Sequence, residues 1–289
     1  MKISQAVKNF YNNVPFPNFD LSRFNSVNDL KEQASSFAKI LDRSIPKNAS
    51  IIDIGTGTGQ LAAFLSLRRN CVYGIDFSET SLKKAESLKK KLGLNTLHLK
   101  VIDILDKNQV KSINQKFDYI LCLGVLHHTE NPYQGFKNIL KLLKPNGYIC
   151  LGLYNKVGRI PLKIRRFFIR TIFKNNEKIK KWFIKMQIGN INDKERLNGW
   201  WNDQYLHPHE ISYTVGKILK WFKKNNVVFM QTLPSLSLFD NSNLEIGGVW
   251  NNSNTVYTYF PIRVYKQLTW LWKTHKDGGY WMIFGRKNK

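Results

Sequence analysis

The sequence predicts a doubly wound α/β fold, a largely parallel sheet with helices on both faces. Three observations carry this prediction. Short apolar runs alternate with amphipathic stretches of helical period along most of the chain. The run Ile51 to Ile54 leads into the glycine-rich turn Gly55-Thr56-Gly57-Thr58-Gly59, after which Gln60 opens a helical stretch. Asp53, Asp76 and Asp103 stand where three successive strands should end. Ligands in such sheets sit outside the carboxyl ends of the strands, near the switch in strand order, so these acids point to one crevice.

Residues 1–45 precede the fold and read as an N-terminal helical arm; residues 46–289 read as one domain with two insertions. The first turn is Asp-x-Gly-x-Gly-x-Gly. A dinucleotide fingerprint would need a small residue where Gln60 stands. Glycines in this turn are expected where a ligand approaches the backbone and a Cβ would clash. A helix over 60–69 follows, then a strand over 71–75 that ends at Asp76, about twenty residues past the turn, where such folds bind ribose hydroxyls. Ser78 and Glu79 cap a helix that stops at Gly93. Strands over 97–102 and 117–123 come next, and the second runs into Gly124-Val125-Leu126-His127-His128. Pro132 starts a helix that ends at Leu143-Lys144-Pro145-Asn146-Gly147, before a fifth strand over 148–153. An insertion covers about 154–206. His207-Pro208 is expected to open a helix to about Phe222, followed by a strand over 226–231. Residues 233–271, rich in Ser, Asn and Gly, read as an irregular excursion, and 278–285 as the last strand.

These five motifs in order resemble the class I S-adenosylmethionine (SAM) dependent methyltransferases, closest to the small-molecule group that includes the quinone-biosynthesis enzymes. The resemblance covers about residues 48–153 well and the remainder poorly. It implies a Rossmann-like, seven-stranded sheet with an antiparallel last strand, a helical cap at the 154–206 insertion, and SAM as cofactor. It assigns Asp53, Gly55, Gly57 and Gly59 to the methionine part, Asp76 to the ribose, and Asp103 with Ile104 to the adenine, with Gly124 at the segment resembling motif IV. Tyr11 falls in an aromatic stretch, 11–19, that resembles the latch closing over the cofactor. Tyr11, Tyr154, Asn155, Asp203 and Gln204 are expected on the acceptor side.

SAM carries an electrophilic methyl, so the chain mainly has to orient a nucleophile, and a base is needed only if the acceptor loses a proton. His127 and His128 are the first candidates, with Tyr205 as a further catalytic or orienting group. The cluster His207-x-His209-Glu210 lacks the i, i+4 histidine spacing of a zinc helix, and no metal is expected. A C5-cytosine enzyme would need Pro-Cys after the fourth strand, whereas Cys122 lies inside it. Asn131-Pro132-Tyr133 lacks a proline of the amino-methylating motif and comes too late.

The chain has 289 residues and a formal net charge of +25. No apolar run is long enough for a membrane span, and the first residues lack the apolar core of a secretory signal. Cys71, Cys122 and Cys150 fall in core strands without metal spacing. A reducing, cytoplasmic location is expected. The charge fits either an AT-rich genome or an anionic partner. Eleven basic residues and one acid lie between Lys156 and Lys185. On one unbroken helix, Lys163, Arg166, Arg170, Lys174, Lys178, Lys181 and Lys185 would form a stripe opposite Ile164, Phe168, Ile172, Ile179 and Phe183. Three readings stay open for it: a solvated lid packed on its own domain, contact with an anionic membrane, or a path for a phosphate backbone. All eight tryptophans follow residue 180, which suits either an aromatic ligand site or the core of added elements. The expected function is methyl transfer to a small-molecule acceptor, lipid-like acceptors included, with RNA ranking behind it as substrate. A non-catalytic SAM-binding or membrane-surface module is the other alternative.

Overall fold

The computed structural model describes residues 2–172, 176, 178–179, 182–183, 194–236, 248–250, 259–274 and 277–289. Burial on both faces selects the central strands. β1 (Ile51–Ile54) is buried at all four positions, and β2 (Val72–Asp76) and β4 (Phe117–Leu123) nearly so. β3 (Leu97–Val101) is a more exposed edge. β5 (Leu143–Tyr154), β6 (Val227–Leu233) and β7 (Tyr280–Lys287) complete one sheet in the order β3-β2-β1-β4-β5-β7-β6. The β1 to β5 pairings are parallel, and β7 runs antiparallel between β5 and β6. The sheet thus has the seven strands and the antiparallel last strand expected. Its order reverses between β1 and β4, which places a crevice at their carboxyl ends.

Side chains alternate across this sheet. Ile51, Leu121 and Cys150 pack toward α2 (Val27–Gln33), α3 (Ser36–Ser44), α4 (Gln60–Ser66) and α5 (Glu79–Leu92). Ile52, Ile120 and Cys122 pack toward the opposite core, which holds Phe136 of α7 (Pro132–Ile139) and Trp221 of α10 (Val215–Lys224). Here α1 is Lys2–Asn13, α6 Lys107–Lys111, α8 Ile160–Thr171 and α9 Lys194–Trp201. The helix starts read as local chemistry predicts. Ser78 accepts the Ser81 amide, Asn131 accepts the Gln134 amide ahead of Pro132, and Gly93 ends α5 in the left-handed region.

Four expectations are corrected. The Lys144–Gly147 segment lies within β5, because Leu143 already pairs with Phe117 before a register shift. No helix starts at His207. Thr214 is the residue before α10, and 207–213 is irregular, held where the Ile211 amide donates to the His127 carbonyl and Tyr213 bridges to Asn155. The excursion over 233–271 includes a helix, α11 (Phe260–Lys273), with Pro261 in its first turn. The apolar side of the basic segment does not pack on the domain: Ile164, Phe168 and Ile172 are exposed, whereas Arg159 is fully buried and Arg166 partly so. The remainder of that stripe, 174–185, lies largely outside the described residues.

Candidate active site

A cavity of about 540 Å³ opens at the carboxyl ends of β1, β2 and β4. It is lined by Gly55, Gly57, Asp76, Asp103, Ile104, Gly124, His128 and Tyr154 from the sheet side, and by Tyr11, Asp203 and Gln204 from the arm and cap. Asp53, Gly59, His127, Asn155 and Tyr205 do not line it. The wall also takes Phe16, from the aromatic stretch over 11–19, and Trp200, one of the late tryptophans, together with Phe77, Val125 and Tyr280, which were not singled out from the sequence. Phe77 and Val125 could have been found from position, since each adjoins a named strand-end residue.

The glycine-rich turn is shaped by the chain itself. Gly57 has φ +55, and a Cβ there would overlap the Phe16 carbonyl of the arm. Gly59 has φ +84, and its Cβ would lie 2.6 Å from that of Ala85 on α5. At Gly57 and Gly59, protein atoms already occupy the space a Cβ would need. The turn is anchored by Asp76, whose carboxylate accepts the Gly57 amide at 2.9 Å and the Ser78 amide at 2.8 Å. Burial raises the Asp76 pKa despite these bonds. Asp53 sits beneath the turn and accepts from Thr56 Oγ1 at 2.8 Å. Its pKa is pushed up to about 7 by burial, against the Thr56 bond and with help from Asp76.

The opposite wall is a polar network on Asp203. One π-helical turn, Asn202–Leu206, follows α9 and carries Asp203, Gln204 and Tyr205 inward. Asp203 accepts from Tyr11 Oη at 2.9 Å, Tyr154 Oη at 3.2 Å and Gln204 Nε2 at 2.9 Å. His128 Nε2 lies 3.8 Å from Asp203 Oδ1. His128 Nδ1 is 2.9 Å from the His209 carbonyl. A carbonyl only accepts, so Nδ1 carries the proton and Nε2 of the neutral ring is a bare lone pair. Burial lowers the His128 pKa, with Asp203 opposing. His127 turns the other way: both ring nitrogens are buried without a partner, and its ring packs on Tyr154 with centroids 4.2 Å apart.

Three polar residues hold this wall. Asn155 closes a turn, accepting the Val157 and Gly158 amides. Tyr205 stacks on Trp201 inside the cap, centroids 4.2 Å apart. Arg159 pairs with Glu210, donates to Gln204 Oε1 at 2.8 Å, and lies over the Tyr154 ring. Of the tryptophans, Trp200 lines the cavity, whereas Trp201, Trp221, Trp250, Trp270 and Trp281 are buried.

Ligand atoms of His128, Asp203 and His207 gather within 4.8 Å of one another. His207 Nδ1 accepts the His209 amide at 3.1 Å, so its ring proton sits on Nε2 and leaves no lone pair there for a metal. The cluster suits a proton better than a cation.

The methyltransferase domain family profile matches residues 45–231. A ubiquinone biosynthesis O-methyltransferase of Coxiella burnetii is 31% identical over 111 residues, which are 38% of this chain and 45% of that protein. Its counterpart in Rickettsia conorii is 25% identical over 142 residues, 48% of this chain and 47% of that protein. The chain spans about half the length of the curated relatives it matches. The structure of PKMT2 from Rickettsia typhi superposes with a TM-score of 0.58 at 17% identity, covering 88% of this chain and 52% of that one, a likeness of fold. A profile match that runs unbroken from before β1 into β6, on a sheet of this strand order, makes the chain a member of the methyltransferase domain family, in the class I SAM-dependent group that its motifs resemble.

Proposed function

We propose that the chain transfers a methyl group from SAM to a hydroxyl of a small, lipid-like acceptor, with His128 as general base. The observation that carries this reading is the bare Nε2 of His128 on the wall of the same cavity that Asp76 and the glycine-rich turn line. When bound, SAM supplies a methyl already activated by its sulfonium. The donor set fits it: the Asp76 carboxylate for ribose hydroxyls, the Gly55 and Gly57 backbone for the methionine part, and Asp103 with buried Ile104 for the adenine. The Asp53 carboxylate beneath the turn favours the positive charge.

The chain's own residues then do three things. Burial keeps His128 neutral, so Nε2 is ready to take a proton from an acceptor hydroxyl near neutral pH. Asp203 stabilises the imidazolium that forms, and Tyr11, Tyr154 and Gln204 hold Asp203 in place. The arm residues Phe16 and Pro17 close one side and limit water.

The small-molecule reading is supported by the names of the quinone-biosynthesis relatives and by the cavity's enclosure between arm and cap. The RNA alternative loses part of its basis, since Arg159 and Arg166 are spent on Glu210. A cytoplasmic location belongs to the same reading: Cys71, Cys122 and Cys150 are free thiols, and no helix among the described residues is long and apolar enough to cross a membrane.

The test is methyl transfer from radiolabelled SAM into a cell extract, followed by separation into organic-soluble, small aqueous, RNA and protein fractions. Label in the organic or small-molecule fraction is expected. Label confined to RNA or protein would overturn the substrate class.

A further inference from the structure

Helices α8 and α11 both turn large apolar side chains outward. On α8, Leu162 and Ile169 pack inward with Trp201 and Tyr205, Arg166 is partly buried, and Ile164, Phe167, Phe168 and Ile172 face solvent. Phe167 is 61% and Ile172 62% exposed. On α11 the buried positions are Lys266, Gln267 and Trp270, while Phe260, Tyr265, Leu268 and Trp272 face outward. Phe260 is 70% and Trp272 71% exposed. A helix that only packs on its own domain keeps its outer face polar. Single exposed apolar residues need no explanation, but two neighbouring helices of them do.

The two helices leave the fold at one junction. Gly158, two residues before α8, packs so closely that a Cβ would lie 2.6 Å from Thr274 Oγ1 and 3.5 Å from the Trp270 carbonyl. Asn155 Nδ2 donates to Gln267 Oε1 at 3.1 Å. Next to that junction, Tyr154, Asp277 and Tyr280 line the cavity.

Charge selects the occupant. Neither 160–171 nor 260–273 contains an acid; Arg166 is spent on Glu210 and Lys266 is buried, which leaves Lys163 on α8 and Arg263 and Lys273 on α11 as cations of the outer face. A second copy would bring two acid-free basic surfaces together, which electrostatics opposes. A nucleic acid would satisfy the cations but leave the aliphatic side chains in water. An anionic bilayer satisfies both: aromatic and aliphatic groups enter the interface while lysine and arginine reach the phosphates. We propose that the outward faces of α8 and α11 form a docking surface for anionic lipid bilayers, beside the cavity mouth. This inference stands whether or not the chain proves to be a methyltransferase.

The test is co-sedimentation of the full chain with vesicles of equal parts phosphatidylcholine and phosphatidylglycerol, against phosphatidylcholine alone. Binding is expected only to the anionic vesicles. Phe260→Ser with Tyr265→Ser, and separately Phe167→Ser with Ile172→Ser, should each weaken it at least about tenfold. Lys156→Glu with Lys163→Glu should weaken it at low salt and much less at high salt. All the substituted side chains are exposed, so thermal melting should be unchanged and a folding defect is distinguishable. Absence of binding to anionic vesicles, or equal binding by the variants, would overturn the proposal. So would a dimer in light scattering that the same variants dissociate, or retention on RNA without retention on vesicles.

Discussion

Replacing Asp53 with Asn should make the protein more stable in alkali and less so in acid, relative to the wild type. Asp53 is 4% exposed, and its pKa rises from the ordinary 3.8 to about 7. An acid with a raised folded pKa costs the fold nothing below its unfolded pKa. The cost then grows until the pH passes the folded value. At 1.36 kcal/mol per pH unit, the step from 3.8 to about 7 comes to roughly 4 kcal/mol by about pH 8. Asparagine keeps an acceptor for Thr56 Oγ1 and cannot ionise. Its extra buried N–H adds a penalty of about 1–3 kcal/mol that does not vary with pH. The stability of Asp53→Asn minus that of wild type should therefore climb by roughly 3–4 kcal/mol from about pH 4 to about pH 8. With an unfolding entropy near 2.1 cal/mol/K per residue, that corresponds to a relative gain of about 6 °C in Tm. Urea or thermal unfolding of both proteins across this range measures it. A difference that stays flat with pH would refute the buried, half-ionised carboxylate. The same group reports on ligand binding. A cationic ligand above Asp53 lowers its pKa, so SAM binding at about pH 7 should release about half a proton, read by calorimetry in two buffers of different ionisation enthalpy.

Three further outcomes are expected. His128→Ala should cut the turnover rate by roughly 10²–10⁴ while leaving cofactor affinity intact; the acid limb of the wild-type pH–rate profile should lie below 6.5, since burial lowers this histidine, and a limb above that value would count against it as base. Gly57→Ala should lower Tm by about 2–5 °C, from roughly 1–2 kcal/mol of left-handed strain plus displacement of the Phe16 carbonyl, and faster proteolysis of the arm should accompany it. Glu210→Gln leaves the buried Arg159 unpaired and should cost about 3–5 kcal/mol. Burial acts to raise the Glu210 pKa, but Arg159 and Arg166 hold it down to about 2, so this stabilisation is complete above about 4.5 and fades as pH falls toward 2 in wild type, but not in the variant.

The sheet was legible because its strands are buried on both faces and read as short apolar runs closed by an acid or a glycine: 51–54, 72–76 and 117–123 need no tertiary information. α11 was not legible. Its inward face carries Lys266 and Gln267 and its outward face the aromatics, so hydrophobic periodicity points the wrong way. Its tyrosine, tryptophan, threonine and valine are also poor helix formers. Proline at 208 looked like a helix start, but the hydrogen bonds of the 209–213 backbone to His128, His127 and Tyr154 decide that segment. Within the site, strand-end position alone was enough to put Asp76 and Asp103 on the cavity wall, though not Asp53, which lies beneath the turn. His127 and His128 could not be told apart, since only the fold turns one ring toward the cavity and the other toward Tyr154. Arg159 reads only as one of eleven basic residues over 156–185, because its partner, Glu210, lies 51 residues away.

Isothermal titration of S-adenosylhomocysteine onto the wild-type protein and Asp76→Ala probes the crevice most directly. Saturable one-to-one binding is expected for the wild type. The variant should bind at least about a hundredfold more weakly, the scale of one or two lost charge-assisted hydrogen bonds, while circular dichroism shows the sheet intact. No binding by the wild type, or equal affinity in a folded Asp76→Ala, would contradict the assignment of this cavity to the cofactor.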